Sequence, residues 1–258
     1  MNKTTISYKK KTKLKNPILV VGLPGIGNVG SLVGEHIRNE TSASKFATLH
    51  SPFFPHHVIM GRKGGVRMVS NRFYHFKNKS GRSIVLLLGD VQAASPKGQY
   101  DVNEKIIKFF KSLGGKTAYT IGGYSMGAQY VQKPRVFGVS NSKQLMQSLS
   151  KQGVSFGEVG GTIWGSAGLI PAMSKKYEIE SACIMGETSM LEIDANAAKA
   201  VLETIRKIIN IDINLENLEK IKTETEKILN DIESASKNLQ EGQQGGKPPS
   251  NDLFTYIR

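Results

Sequence analysis

Four sets of residues in this chain have types and spacings that could do chemistry. Gly25, Gly27 and Gly30 follow the apolar run Ile18-Leu19-Val20-Val21 and fit G-x-G-x-x-G, the spacing that lets a backbone approach a pyrophosphate at a helix N-terminus. Gly123-Tyr124-Ser125-Met126-Gly127 fits G-x-S-x-G, the turn that exposes a serine nucleophile. His50, His56 and His57 are close enough in sequence to suggest a metal. Asp90, Gln92 and Glu187 stand at or just beyond the ends of apolar segments, where open α/β sheets place ligand-binding groups.

Each set lacks a part. A dinucleotide site needs an acid about 20 residues past its glycines to hold the ribose. Here that region reads Lys45-Phe46-Ala47-Thr48-Leu49-His50-Ser51, and Glu40 comes too early. The glycines therefore leave two readings open, a ligand cleft or a tight strand-to-helix turn with close packing. All five histidines, His36, His50, His56, His57 and His75, precede Ser125, against the order of the hydrolase fold. Triads are defined by geometry, so another chain order could still assemble one, but a structural turn is the simpler reading. Adjacent His56 and His57 on a strand point to opposite faces with no acid nearby, which argues against zinc. The residues thus predict no catalytic set, no metal and no cofactor. They place Gly25, Gly27, Asn28, Asp90, Gln92 and Glu187 along a cleft between the glycine turns 22–30 and 160–168, without an evident phosphate clamp.

The elements that must position these groups follow from periodicity and breakers. The pattern predicts strands over 17–22, 45–50, 57–61, 66–77, 83–89, 117–122, 134–140 and 179–186, and helices over 28–40, 101–113, 141–151 and 193–210. Such alternation argues for an α/β domain over 16–210, with a mixed, largely parallel sheet and helices on both faces. Ala197, Val201, Leu202, Ile205, Ile208 and Ile209 give the last helix its apolar stripe, and Asp194 is a suitable cap. Cys183 is the single cysteine, in the apolar run Ala182-Cys183-Ile184-Met185, so it reads as a buried strand thiol. One cysteine excludes an intrachain disulfide framework and fits a reducing, cytoplasmic setting. No apolar run approaches the roughly 20 residues of a membrane span, and no secretory signal is visible.

The chain of 258 residues has a formal net charge of +14. Residues 1–82 hold 15 Lys and Arg against 2 acids, whereas 83–258 are near balance. One source is a basic arm over 1–15, read as flexible. The other is Arg62, Lys63, Arg67, Arg72, Lys77, Lys79 and Arg82 on a pair of strands bounded by glycine turns. With Phe73, Tyr74 and Phe76 among them, such a cluster could meet nucleic acid. No recognised nucleic-acid module appears, and simple alternation of buried and solvated strand faces ranks ahead.

Beyond the domain, Leu218, Ile221, Thr225, Ile228, Ile232, Ala235 and Leu239 recur at spacings of 3 and 4, predicting an amphipathic helical extension over 211–240. Residues 241–252 are a linker rich in Gly, Gln and Pro. The chain then closes on Leu253-Phe254-Thr255-Tyr256-Ile257-Arg258. Ragged ends are normally polar, so an apolar, aromatic hexamer on a tether either folds back onto the domain or, the reading ranked ahead, is presented to a partner's pocket, with Leu253, Phe254, Tyr256, Ile257 and Arg258 as contacts.

Several collinear motifs over 16–210 resemble the proteasome assembly chaperone 2 family in its archaeal form. They are the segment from Asn16 through Gly30, Ser51-Pro52-Phe53-Phe54-Pro55, Gly89-Asp90-Val91-Gln92 with Tyr100, Thr120-Ile121-Gly122-Gly123-Tyr124, Gly161 through Leu169, and Gly186-Glu187 with Asp194 through Ala198. The resemblance implies a fold of the purine nucleoside phosphorylase type without established enzymatic activity. It also implies proteasome assembly or activation, with docking on 20S α-subunits through a C-terminal hydrophobic–Tyr–X tail. Here Tyr256 is third from the end and Ile257 takes the penultimate place, a shift of one position from that pattern. The expectation is a non-catalytic, self-associating chaperone or activator. The alternative is a nucleoside-processing or nucleotide-binding protein that uses the cleft.

Overall fold

The computed structural model describes residues 3–8, 14–61, 63–127, 131–189 and 193–216. The predicted linker and tail, and all but the first residues of the helical extension, lie outside the described residues. The elements are β1 (Thr5–Tyr8), β2 (Ile18–Gly22), α1 (Val29–Glu40), β3 (Ser44–His50), β4 (Val58–Met60), β5 (Val66–Met68), β6 (Asn71–Lys77), β7 (Ser83–Gly89), α2 (Pro96–Ser112), β8 (Thr117–Ser125), β9 (Val136–Ser140), α3 (Lys143–Ser150), β10 (Ser155–Phe156), α4 (Ser166–Ser174), β11 (Glu180–Thr188) and α5 (Ala195–Ile208).

Nine strands form one mixed sheet in the order β1-β3-β6-β7-β2-β8-β11-β9-β10. Its centre, β7-β2-β8-β11, is parallel. Antiparallel pairing is confined to the flanks, through β6, β3 and β1 on one side and β9 on the other. This is the expected α/β architecture. The central strands are buried on both faces, which is why Ile18 to Val21 and Ile84 to Leu88 are unbroken apolar runs. Leu19, Val21, Val85 and Leu87 pack toward Val102, Ile106 and Phe110 of α2. The opposite face takes α1 and α5, which pack against each other.

Several expectations are corrected. Residues 1–15 are not a free arm throughout, because Thr5–Tyr8 pair antiparallel with Ala47–His50 as an edge strand. The run 66–77 is two strands: β5 pairs only with β4 in a separate two-stranded sheet, while β6 lies between β3 and β7 in the main one. Helix α2 starts at Pro96 rather than 101, capped by Ser95 Oγ accepting from Gly98 N at 3.1 Å. The glycine-rich segment read as loop contains α4, whose Gly168 and Pro171 had masked it.

The glycine fingerprint is used for packing. A Cβ on Gly22 would lie 2.4 Å from the Gly30 carbonyl, and one on Gly30 would lie 2.6 Å from the Leu23 carbonyl, so α1 sits directly on the end of β2. Gly27, at φ +59°, accepts from Asp194 N at 2.8 Å, and a Cβ there would meet Thr188 Oγ1 at 2.6 Å. Asp194 is the expected cap of α5: its Oδ1 accepts from Ala197 N at 2.9 Å and its Oδ2 from Thr188 Oγ1 at 2.6 Å.

Candidate functional site

A cleft of about 820 Å³ opens at the carboxyl ends of β2 and β8. The connection from β2 leads to β3 on one side of the sheet, and that from β8 leads to β9 on the other. The cleft therefore sits at a topological switch point, where α/β sheets place ligands. Its walls are the turn after β2, the segment joining β7 to α2, the end of β8, and the loop leading into α4. Gly123 lets the first wall close on the third, since a Cβ there would lie 2.5 Å from the Ile26 carbonyl.

Gln92 joins two of these walls. Its Nε2 donates to the Pro24 carbonyl at 2.6 Å, and its Oε1 accepts from Ser166 N at 2.8 Å. Gly165, at φ +72°, leaves the room this needs, because a Cβ would sit 2.5 Å from the Gln92 Oε1. Both ends of the amide are thereby engaged within the protein. Two aromatics of the lining are open to solvent: Trp164 is 80% exposed, and Tyr100 is also exposed. Tyr124 donates its hydroxyl hydrogen to the Gly160 carbonyl at 2.7 Å and so holds the glycine loop in place.

The predicted site residues divide. Gly25 and Gln92 line the cleft, whereas Gly27, Asn28, Asp90 and Glu187 do not. Asp90 instead receives Arg67 at 2.6 and 3.0 Å, Arg72 at 2.9 and 2.9 Å, and Ser70 N at 3.0 Å. Burial disfavours its charged form, but these hydrogen bonds outweigh burial and hold the carboxyl well below the usual carboxylate range. Glu187 accepts from Arg135 Nε and Nη2, both at 3.0 Å, which holds its carboxyl down against a smaller effect of burial.

Consequently the described residues lining the cleft include no carboxylate, imidazole, amine, guanidinium or thiol. Ser125 lies on the lining, its Oγ accepting a long 3.4 Å contact from Gly127 N, and no imidazole stands among the described lining residues to act as its base. Cys183 is buried, which pushes its thiol up to about 12, far from a reactive thiolate. No cluster of three metal-ligating side chains occurs among the described residues. No helix among them is long and apolar enough to cross a membrane.

The basic cluster is also largely engaged. Arg67 and Arg72 share Asp90, Lys79 pairs with Asp212 at 3.0 Å, and Arg82 Nε donates to the Asn16 carbonyl at 2.7 Å. Phe73, Tyr74 and Phe76 are buried, so their faces are not offered to bases. Sequence reasoning missed the exposed aromatics Tyr100 and Trp164. A lone tryptophan in a glycine-rich loop was the available signal.

Comparison with known proteins gives this geometry its relatives. A protein of Methanocaldococcus jannaschii, MJ1210, described as uncharacterized, is 37% identical over 253 residues, covering 98% of this chain and 96% of that one. The crystal structure of Pyrococcus furiosus PbaB, an archaeal proteasome activator, is 32% identical with a TM-score of 0.85, covering 90% of this chain and all of PbaB. Pyrococcus furiosus PbaA, an archaeal homolog of proteasome-assembly chaperone, shares the fold at 20% identity with a TM-score of 0.75, over 94% of this chain and 97% of PbaA. The model of the PAC2 family matches residues 19–233, and with that extent of agreement the chain belongs to the PAC2 family.

Proposed function

We propose that this protein is a non-catalytic proteasome assembly chaperone or activator that acts in the cytoplasm and self-associates. It docks on the α-ring of the 20S proteasome through Leu253, Phe254, Tyr256, Ile257 and Arg258. The observation that carries this reading is the near full-length likeness to a proteasome activator at 32% identity and a TM-score of 0.85. The chain ends in an apolar, aromatic hexamer beyond a linker rich in Gly, Gln and Pro, a form suited to insertion into a partner's pocket. Burial of Tyr256 and capture of the terminal carboxylate supply the contacts, with the register shifted by one residue.

Absence of catalysis is supported by the chemistry of the cleft. General acid–base catalysis needs a titratable group within hydrogen-bond reach of the reacting atom. The titratable side chains of the described lining are tyrosines, and the neighbouring carboxylates are neutralised by arginines outside it. The test is binding to isolated α-rings by the full chain and by a version ending at Asp252.

A further inference from the structure

The glycines that line the cleft are of two kinds. Gly123 and Gly165 are required by packing, since a Cβ on either would lie 2.5 Å from a neighbouring oxygen. Gly25 and Gly160 are not. A Cβ on Gly25 would meet nothing closer than the Gln92 Nε2 at 4.0 Å, and one on Gly160 would meet nothing within 4 Å. Neither has a positive φ, so the backbone does not demand glycine there either. Their missing side chains leave open space beside bare backbone, on the turn after β2 and on the loop into α4, the use of glycine that admits a ligand closely. These two walls are fixed by the protein itself: Gln92 ties Pro24 to Ser166, and Tyr124 holds the Gly160 carbonyl. The volume of about 820 Å³ falls within the roughly 300–1,000 Å³ of small-molecule pockets.

We propose that this cleft binds an uncharged small organic molecule carrying a flat ring, seated against the bare backbone of Gly25 and Gly160. The chemistry of the lining selects that class. Val21, Leu23, Ile121 and Met185 are buried and give the cleft an apolar floor. Trp164 and Tyr100 expose ring surface to the same space, on which a flat ring stacks or packs edge to face. A charge carried into the cleft would be partly desolvated with no counter-ion among the described lining residues, a cost that a neutral molecule escapes. The hydroxyls of Ser125, Thr162 and Tyr100 supply polar groups to orient the ligand. Walls from four chain segments surround a concave space, the form that takes a small molecule rather than an extended polypeptide. The site binds without transforming, because tyrosines are its titratable side chains. Docking on the proteasome is a separate property, and neither depends on the other.

Trp164 is the single tryptophan of the chain, so its fluorescence reports on this cleft. The test titrates the full chain, to millimolar concentration, with neutral and anionic molecules of like shape: benzamide against benzoate, phenylacetamide against phenylacetate, and nicotinamide against nicotinate. The expected result is a saturable blue shift of the emission with the amides and none with the acids. Gly25→Leu should weaken amide binding by about tenfold, because its side chain fills the space the ring takes, and should leave the circular dichroism spectrum unchanged. Failure of every amide to shift the emission overturns the inference. Acids that bind as well as the amides, or better, overturn the uncharged class. Amide binding that is equal in wild type and Gly25→Leu overturns the assignment to this cleft. Should Gly25→Leu misfold, Gly160→Leu takes its place, and unchanged binding there overturns the assignment equally.

Discussion

Arg67 places both terminal nitrogens of its guanidinium on the carboxylate of Asp90, at 2.6 and 3.0 Å, and thereby ties the β4–β5 hairpin to the end of β7. Arg72 takes the same carboxylate from the main sheet, so one acid joins two sheets that share no strand.

Asp90→Asn should cost on the order of 2 kcal/mol in urea unfolding, the scale of lost hydrogen bonds to a charged group. Its pH dependence has a definite sign. The folded carboxyl titrates below the unfolded value near 4, so the contribution is present in full above about pH 4 and is lost as pH falls toward the folded value. The stability difference between wild type and Asp90→Asn should therefore shrink on acidification below about pH 4. A difference that grew on acidification would contradict the pairing.

Gln92→Ala should leave the Pro24 carbonyl and the Ser166 N–H without partners, costing about 1–3 kcal/mol. Gln92→Glu should fail to rescue it, because a carboxylate cannot donate to Pro24. Protease cleavage in the 160–165 loop should rise in both variants. Rescue by glutamate would mean that the bond to Ser166 alone holds the wall.

The glycines separate packing from ligand approach. Gly123→Ala should destabilise by about 1–3 kcal/mol through collision with the Ile26 carbonyl. Gly25→Ala should be nearly neutral, within about 0.5 kcal/mol. Its backbone is extended and a Cβ would meet nothing closer than the Gln92 Nε2 at 4.0 Å. Chemical denaturation of the two variants measures both. Equal losses would contradict a packing role for Gly123.

Phosphate and adenosine monophosphate at millimolar concentration should leave the melting temperature unchanged, since ligand stabilisation follows mass action and the described cleft lining holds no cation. A concentration-dependent rise would favour the nucleotide-binding alternative.

The parts legible in the sequence were those where one local signal decides. Unbroken apolar runs marked β2 and β7 as buried parallel strands, and Asp194 announced the start of α5. Thr5–Tyr8 escaped because an edge strand buries little and sits among lysines. Helix α4 escaped because Gly168 and Pro171 break the helical pattern, although Gly168 is needed where a Cβ would lie 2.7 Å from the Ile163 carbonyl. At the site, Gln92 was found through strand-end logic and Gly25 through the glycine spacing. Strand-end logic misplaced Asp90 and Glu187, because their arginine partners lie 18 to 23 and 52 residues away. Only the tertiary structure brings those charges together. The orientation of the β4–β5 hairpin was hidden for a related reason: alternation in 58–68 tells which residues share a face, not which face meets the protein.

The central claim is tail-dependent docking. Native mass spectrometry of isolated 20S α-rings with the full chain and with a version ending at Asp252 tests it most directly. The account predicts a complex with the full chain and none with the truncated one, while both retain the same oligomeric state and melting temperature. Equal binding by the two forms, or no binding by either, would contradict it.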